Sequence, residues 1–360
     1  MSTRNRSIIV GTGSHLPARH VPNADFLGNE FYGADGERID RPTAEIIEKF
    51  EAITGITERR WVPDDLVTSD IASLAAEDAL QSSGIDPESL DHVIVAHNFG
   101  DVRADNPRSD IVPSLAARVK ERLGIENPRA ICYDIPFGCP GWLQALIQAD
   151  CFLTAGQGKR ALVIGAETLS RVLDPHDRDS MIYADGAGAA ILEAVATEEP
   201  VGVLSHSTRS DAQKHAYLLR MGPSYNPDFV DDTLFLKMRG HKLYEYALRT
   251  VPQVIKDALD QAGVLLADVK KVLLHQANAK MDDAIVERLC KLCGVQTVAP
   301  EIVPMTISWL GNSSVATLPT LLDLLRKGRL QGQELAAGDL VLFASVGAGM
   351  NANSVAYRVP

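Results

Sequence analysis

The chain has 360 residues, of which 46% are hydrophobic and 23% are charged, and its formal net charge is −12. This composition is typical of a soluble globular protein with a large core, and the length suggests two domains or one duplicated unit. The acidic balance argues against non-specific nucleic-acid binding. No apolar run approaches the ~18–20 residues of a membrane span, and the first residues lack a signal-peptide pattern. We therefore expect a cytoplasmic protein with no membrane or nucleic-acid partner.

Two parts of the chain repeat each other at a constant offset. The segment from Ala79 reads ALQSSGIDPESLDHVIVAHN, and the segment from Ala258 reads ALDQAGVLLADVKKVLLHQAN. ALVIGA, from Ala161, aligns with LVLFAS, from Leu340, at the same offset of 179 residues. A register shared at two separate places indicates an internal duplication.

Each half alternates strand-like and helix-like segments. The runs HVIVA, RALVIGA, KVLLH and DLVLFAS are nearly continuous in apolar residues, as in strands covered on both faces. WLQALIQADCFLTAG, which follows Cys139, is apolar on most sides and indicates a helix buried between sheets. The sequence therefore predicts an α/β protein with two similar halves, residues 1–196 and 197–360, in a layered αβαβα arrangement.

Cys139 lies between Gly138 and Pro140, after a strand-like run and before the buried helix. Because proline suits the first helical turn, we predict Cys139 at the N-cap, where the positive end of the helix favours the thiolate. The alternative is a small buried hydrophobe, which is our interpretation of Cys132 and Cys151. Local sequence leaves both roles open for Cys139.

Three later segments add candidate polar groups. His275 ends a strand-like run, at the position that Ala96 occupies in the first half, although a structural histidine is the alternative. Asn312, in GNSS, precedes an apolar helix and is otherwise a helix cap. The SVGAG segment, with Gly347–Gly349, follows a buried strand, and its small residues would let backbone N–H groups approach a ligand. A tight turn is the alternative there.

Cys290 and Cys293 form a lone CxxC in a helix-like run. A structural zinc site needs two further ligands, and a redox pair normally opens a helix after a strand. We predict ordinary helix packing and no metal site. An odd number of sparse cysteines is also unlike a disulfide framework.

Together these segments resemble the β-ketoacyl-acyl carrier protein synthase III family of thiolase-fold condensing enzymes. The resemblance covers nearly the whole chain, and HQAN with GNSS at this distance is its most specific signal. The motifs that carry it are TGITERR (54–60), GCPGW around Cys139, DPHDR (174–178), YADGAGAAIL (183–192), HQAN (275–278), GNSS (311–314) and the SVGAG turn. The resemblance implies a duplicated, thiolase-like, five-layered αβαβα fold.

The resemblance also implies an acyltransferase mechanism. Cys139 would take an acyl group from a thioester, and a malonyl thioester would lose CO₂ to give an enolate that attacks the acyl-cysteine. His275 and Asn312 would hydrogen-bond the acceptor carbonyl, and backbone N–H groups of Cys139 and the Gly347–Gly349 turn would hold the other oxyanion. CoA thioesters and acyl carrier protein would be substrates of a homodimer that needs no metal or redox cofactor.

The chain departs from the family pattern around the expected acyl pocket. Val346 and Ala348 stand where a phenylalanine and a glycine are usual, and Val112 stands where a bulky residue, often from the partner subunit, is common. Val112 and Val346 as pocket residues indicate a wider or altered pocket. We therefore expect a donor longer or more unusual than acetyl.

The expected contacts with thioester carriers also differ. Lys49 and Ile53 stand where CoA-primed members carry an adenine-stacking tryptophan and an arginine, whereas Arg171 keeps another CoA-contacting position. Docking of an acidic carrier protein needs local basic residues, although ordinary solvated charges are the alternative. The candidate docking residues are Arg249, Lys256 and Lys280.

Three alternative functions remain at this point. A secondary-metabolite acyltransferase or ester-forming member of the same family would transfer the acyl group without decarboxylation. A papain-like cysteine hydrolase would use Cys139, His275 and Asn312 in the same chain order, but the half-chain repeat opposes it. A degenerate partner subunit of a synthase complex would not need to keep those three residues.

Overall fold

The computed structural model describes residues 4–360. Their strands are β1 (Arg4–His15), β2 (Arg19–Pro22), β3 (Glu58–Trp61), β4 (His92–Ala96), β5 (Asp101–Arg103), β6 (Asn106–Asp110), β7 (Ile131–Ile135), β8 (Arg160–Thr168), β9 (Asp185–Thr197), β10 (Gly202–Ser210), β11 (Leu219–Gly222), β12 (Phe235–Met238), β13 (Val269–Leu274), β14 (Leu340–Gly347) and β15 (Asn351–Arg358). Their α-helices are α1 (Thr43–Thr54), α2 (Thr68–Ser83), α3 (Leu115–Arg122), α4 (Gly141–Thr154), α5 (Ala212–His215), α6 (Gly240–Ala262), α7 (Ala279–Cys293), α8 (Ile307–Leu310) and α9 (Thr317–Arg326). Within this range, no helix is long and apolar enough to cross a bilayer.

The strands form two main sheets. The first has the order β1-β9-β8-β4-β7 and the second has the order β10-β15-β14-β13. Strand β4 runs parallel to both β7 and β8, and β13 runs parallel to β14. Because β9 ends at Thr197 and β10 begins at Gly202, the chain passes from the first sheet to the second between these two residues.

Alternation along the strands sorts the side chains into layers. In β8, Leu162, Ile164 and Ala166 pack outward with α2 and α3. Ala161 and Val163 point the other way, into a core that also holds residues of α4, α9 and the second sheet. Helices α6 and α7 cover the far face of the second sheet. The result is the five-layered αβαβα architecture that was expected from the resemblance.

The predicted repeat coincides with matching elements of the two halves. Helices α2 and α6 both end before a left-handed glycine, Gly84 (φ 65°) or Gly263 (φ 67°), as suits a helix C-terminus. Strands β8 and β14 occupy the positions that the 179-residue offset aligns. The halves are not identical, since the first sheet has five strands and the second has four.

A smaller apolar cluster joins α1 to β2, β3 and the segment before β9. At its centre is the fully buried Arg59, whose guanidinium donates to the backbone oxygens of Met181 and Val21 and to Asn23 Oδ1. Burial lowers the pKa of Arg59 to about 10. These bonds fix the TGITERR segment against the first half, beside the cavity described below.

Candidate active site

Cys139 lies in a sharp connection between β7 and α4. Gly138 has a left-handed backbone (φ 71°), and the first i→i−4 bond of α4 runs from the Gln144 N–H to the Pro140 oxygen. The helix therefore begins at Gly141 with Pro140 at the N-cap. The prediction of Cys139 as the N-cap is wrong by one residue, because the cysteine lies just outside the first turn.

The SVGAG turn touches the Cys139 connection through its backbone. A Cβ atom on Gly347 would lie 2.6 Å from the backbone nitrogen of Cys139, and one on Gly138 would lie 2.7 Å from the nitrogen of Ala348. The left-handed residues of the turn are Gly349 (φ 76°) and Met350 (φ 51°), so Ala348 needs no glycine. The predicted turn thus lies against the predicted nucleophile.

His275 directly follows the last residue of β13 in the second sheet. Its N–H donates to the Ala344 oxygen at 2.9 Å, which extends the β13–β14 pairing by one residue. Leu273 and Phe343 face the central layer that contains α4, and alternation turns His275 to that side. Burial lowers the pKa of the imidazole to about 4, so the ring is neutral near pH 7. Among residues 4–360, its buried Nδ1 has no hydrogen-bond partner.

Asn312 is held by its backbone and by one side of its amide. Its N–H donates to the Ile182 oxygen and its own oxygen accepts from the Ala184 N–H, both at 2.9 Å. Its Oδ1 accepts from the Ser314 N–H at 2.8 Å. Because Oδ1 is engaged, the Nδ2 group is the part of the amide that is available to donate to a ligand.

Ser314 connects Asn312 to Cys139, a role that the sequence did not reveal. Its hydroxyl lies 3.4 Å from Cys139 Sγ and accepts a bond from Asn98 Nδ2 at 3.1 Å. Asn98 in turn donates to the buried carboxyl group of Glu167. Asn98 follows β4 at the carboxyl edge of the first sheet, and a polar residue at that edge is the sequence signal that could have marked it.

The environment of Cys139 raises the pKa of its thiol rather than lowering it. Burial raises this pKa to about 11; the Ser314 hydrogen bond acts in the opposite direction, and the negative charge of Glu167 adds to the rise. The prediction that the position of Cys139 favours the thiolate is therefore wrong. The effect of a helix N-terminus falls off beyond the first turn, whereas the half-buried Cys139 side chain loses part of its contact with water.

A cavity of about 800 Å³ opens beside Asn312. It lies between α1, α6 and the start of α7, and Tyr183, Ile182 and Met238 form part of its wall. Lys49 and Ile53, the positions of the expected adenine contacts, line this cavity, as does Lys280. Of the candidate catalytic residues, Asn312 lines this cavity.

The other predicted substrate residues lie elsewhere in the chain. Val346 packs on the α6–α7 side of the second sheet. Arg171 donates to the Pro63 oxygen at 2.8 Å and pairs with Asp64. Val112 is 82% exposed and follows the β5–β6 hairpin. The structure does not bring these three side chains to the cavity within one chain.

The three docking candidates do not form one patch. Lys280 lines the cavity beside Asn312. Arg249 lines a separate recess with Arg209 and Lys214. Lys256 forms an ion pair with Asp260, one helical turn away, at 2.6 Å.

The other cysteines differ in burial. Cys132 is half-buried, whereas Cys151 is exposed, so the interpretation of Cys151 as a small buried hydrophobe is wrong. Cys290 is buried in the α6–α7 cluster, and Cys293 packs against that cluster. All five cysteines are free, and no group of three potential metal ligands occurs within residues 4–360. The CxxC pair lies in α7 and takes part in its packing against α6.

Comparisons with known proteins give matches along nearly the whole chain. Models of the N- and C-terminal regions of 3-oxoacyl-[acyl-carrier-protein] synthase III match residues 133–212 and 259–359. The chain is 35% identical over 96% of both lengths to the β-ketoacyl-[acyl-carrier-protein] synthase III of Erythrobacter litoralis. The solved synthase III of Pseudomonas aeruginosa is 28% identical with a TM-score of 0.80, covering 99% of this chain and 98% of that one.

A further solved structure of similar fold comes from a polyketide pathway. The priming β-ketosynthase of the R1128 polyketide pathway is 27% identical with a TM-score of 0.80, covering 100% of this chain and 98% of that one. The Erythrobacter litoralis enzyme is 35% identical along nearly the whole chain, and the two family models match one segment in each half. These matches establish the family of the chain. The chain belongs to the β-ketoacyl-[acyl-carrier-protein] synthase III family.

Proposed function

We propose that this protein condenses an acyl thioester with a malonyl thioester, by decarboxylation, to give a β-ketoacyl product. The reaction would start a fatty-acid, related lipid or polyketide chain. The observation that carries this proposal is the meeting of Cys139, the Gly347–Gly349 turn and Asn312, with Ser314 touching both Cys139 and Asn312. Family membership supports it, since the curated relatives are named as β-ketoacyl-[acyl-carrier-protein] synthases.

In the first half-reaction, Cys139 attacks the donor carbonyl and the donor's CoA or carrier thiol leaves. Backbone N–H groups of Cys139 and of the turn hold the oxyanion that forms. Because the pKa of Cys139 is about 11, the thiol loses its proton as the sulfur attacks, and that proton passes to the sulfur of the leaving CoA or carrier thiolate. Cys139 is the nucleophile in this proposal, and no metal or redox group takes part.

In the second half-reaction, the malonyl thioester loses CO₂, and the remaining electron pair forms an enolate. His275 and the Asn312 amide donate hydrogen bonds to the thioester oxygen, where negative charge develops. The enolate carbon then bonds to the acyl carbon, and the Cys139 sulfur leaves. A neutral imidazole suits this role, because it can donate one proton in a hydrogen bond without carrying a charge.

The papain-like alternative is wrong, because family membership assigns a different class of enzyme. Its catalytic cysteine–imidazole pair is not formed here either. The sulfur of Cys139 bonds to the hydroxyl of Ser314, and burial keeps His275 neutral.

Product analysis tests the condensation. The purified protein is supplied with acyl-CoA and malonyl-carrier protein, and the products are measured by mass spectrometry together with released CO₂. We expect one CO₂ for each β-ketoacyl thioester and neither from Cys139→Ala. An ester or amide formed without CO₂ would instead support the non-decarboxylating alternative.

We also propose that the donor is longer or more unusual than acetyl. Lys49 and Ile53 in the cavity wall, in place of the adenine-contacting residues of CoA-primed family members, support this choice. Mass spectrometry of acyl-Cys139 over a panel of acyl thioesters tests it. Efficient loading by acetyl-CoA alone would contradict the proposal.

We propose acyl carrier protein and CoA thioesters as the substrate carriers, with Arg249, Lys256 and Lys280 as docking residues. Lys280 at the cavity is the best supported of the three. Charge reversal at Arg249 and Lys280 should slow carrier-linked turnover more than CoA-linked turnover. Equal effects on the two kinds of substrate would count against docking at these residues.

We further propose a homodimer in the cytoplasm that needs no cofactor. Exposed Ile111 and Val112 at the β5–β6 hairpin support a contact with a second copy. Five free cysteines suit a reducing compartment. Light scattering tests the homodimer, and cell fractionation tests the cytoplasmic location. Turnover in the presence of a chelator tests whether a metal cofactor is needed.

A further inference from the structure

Beside Cys139, polar groups from separate parts of the chain form one hydrogen-bonded row. Glu167, which is fully buried, accepts from the Asn98 backbone N–H at 3.1 Å and from the Asn98 side-chain amide. The same amide nitrogen donates to Ser314 Oγ at 3.1 Å. Ser314 Oγ lies 3.4 Å from Cys139 Sγ. The row thus ends at the sulfur of the nucleophile.

Donor and acceptor counts set the direction of these bonds. An ionised carboxylate can only accept, so above the pKa of Glu167 the nitrogen of the Asn98 amide, not its oxygen, faces Glu167. One N–H of that nitrogen bonds to Glu167 and the other to Ser314. Because the serine oxygen already accepts from Asn98, its single proton is free to point at the sulfur. A hydrogen bond of this kind favours the thiolate over the thiol.

We propose that Ser314 is a positioning residue for Cys139, and that Glu167 and Asn98 hold its hydroxyl as a donor to the sulfur. The role rests on the proposed function, in which Cys139 is the nucleophile. Ser314 also has a left-handed backbone (φ 53°), a conformation that residues other than glycine rarely adopt. In that conformation its N–H reaches Asn312 Oδ1, so one residue orients groups on both sides of the site.

Glu167 acts on the sulfur in two opposite ways. Its charge raises the pKa of Cys139, whereas the Ser314 hydroxyl that it helps to orient lowers that pKa. Burial raises the pKa of Glu167 itself to about 7; His97 opposes the rise and Asp185 adds to it. Tyr183 also lies near the sulfur, since a charge on Cys139 adds to the rise in the pKa of Tyr183, and His97 is itself paired with Asp134 at 3.0 Å.

The rate at which iodoacetamide alkylates Cys139 between pH 7 and 9 tests this role. Peptide mass spectrometry locates the modified cysteine. Ser314→Ala should react about tenfold more slowly than wild type, because a hydrogen bond to the charged sulfur is lost. Ser313→Ala is the matched control, since Ser313 is the neighbouring buried serine and its hydroxyl contacts Thr317 instead.

Glu167→Gln should react severalfold faster than wild type. The amide oxygen of glutamine can still accept from Asn98, while the negative charge near the sulfur is gone. The opposite signs of the Ser314→Ala and Glu167→Gln effects separate this role from a general loosening of the site, which would move both rates in the same direction.

Ser314→Ala rates within twofold of wild type, or an equal slowing in Ser313→Ala, would overturn the proposal. If Ser314→Ala does not fold, Glu167→Gln decides alone, and a rate equal to or below wild type overturns it. Alkylation needs no acyl thioester. Its result is therefore distinguishable from a failure of Cys139 to load an acyl group, which would overturn the proposed function instead.

Discussion

His275 shows how burial sets the charge of a single residue. The imidazole is 5% exposed, and burial holds its pKa at about 4, against 6.5 for a free histidine. The neutral ring fits a hydrogen-bond donor to a developing oxyanion, because a charged ring would attract the malonyl carboxylate before CO₂ leaves. The same burial links the charge of this residue to folding.

We predict that His275 makes stability fall with decreasing pH between 6.5 and 4. The unfolded chain takes up the proton near pH 6.5 and the folded chain near pH 4, so this contribution is fully present above pH 6.5. Relative to His275→Asn, the wild type should lose at most about 3 kcal/mol of unfolding free energy across this window. Urea unfolding at pH 7.5, 5.5 and 4.5 measures the difference.

The matched control is His241→Asn, whose side chain is 85% exposed. This variant should follow the wild-type curve at all three pH values. Parallel curves for His275→Asn and wild type would show that the imidazole is not held neutral by burial. Comparing variants also removes the opposite contribution of Glu167, whose raised pKa favours folding at low pH.

At the scale of elements, the site depends on the close approach of two turns. The connection before α4 and the turn after β14 meet at Gly138 and Ala348, where a Cβ on the glycine would lie 2.7 Å from the Ala348 nitrogen and 2.8 Å from its oxygen. Real Cβ atoms do not approach backbone so closely. The spacing of the N–H groups around Cys139 therefore depends on this glycine.

We predict that Gly138→Ala destabilises the protein and slows acyl loading. A left-handed alanine costs roughly 1–2 kcal/mol, and the clash with Ala348 adds about 1–3 kcal/mol. Gly156→Ala is the matched control, because Gly156 has a similar φ of 75° and open space around it. Urea midpoints and the rate of Cys139 acylation give the comparison. Equal losses in the two variants would mean that the turns can separate without harm.

The elements themselves could be read largely from the sequence. Apolar patterning is local, so strands β4, β8, β13 and β14 and the buried helix α4 followed from their own residues. The hydrogen-bonded row from Glu167 to Cys139 could not be predicted from the sequence, because its four residues lie in separate segments that only the fold brings together. The charge of Cys139 was mispredicted for a similar reason. Helix position is visible in the sequence, but burial is not.

At the scale of the whole molecule, a single chain leaves the β5–β6 hairpin exposed. Ile111 is 55% exposed and Val112 is 82% exposed, and Val112 does not line the cavity beside Asn312 in its own chain. Under the proposed homodimer, Val112 of one subunit would complete the acyl pocket of the other. Each site would then combine Cys139 from one chain with Val112 from its partner.

We predict that two defective chains restore one another in a mixed dimer. Cys139→Ala removes the nucleophile, and Val112→Asp places a charge where an apolar acyl chain would bind, which a carboxylate disfavours. In the mixed dimer, the intact Cys139 of the Val112→Asp chain meets the intact Val112 of the Cys139→Ala chain. We expect about half of the wild-type activity per dimer, because one site of two is complete.

Differently tagged chains, co-expressed and purified through both tags, allow the measurement, with each variant homodimer as the control. A mixed dimer no more active than the Val112→Asp homodimer would place Val112 outside the partner's site, and a monomer by light scattering would rule out the shared pocket altogether.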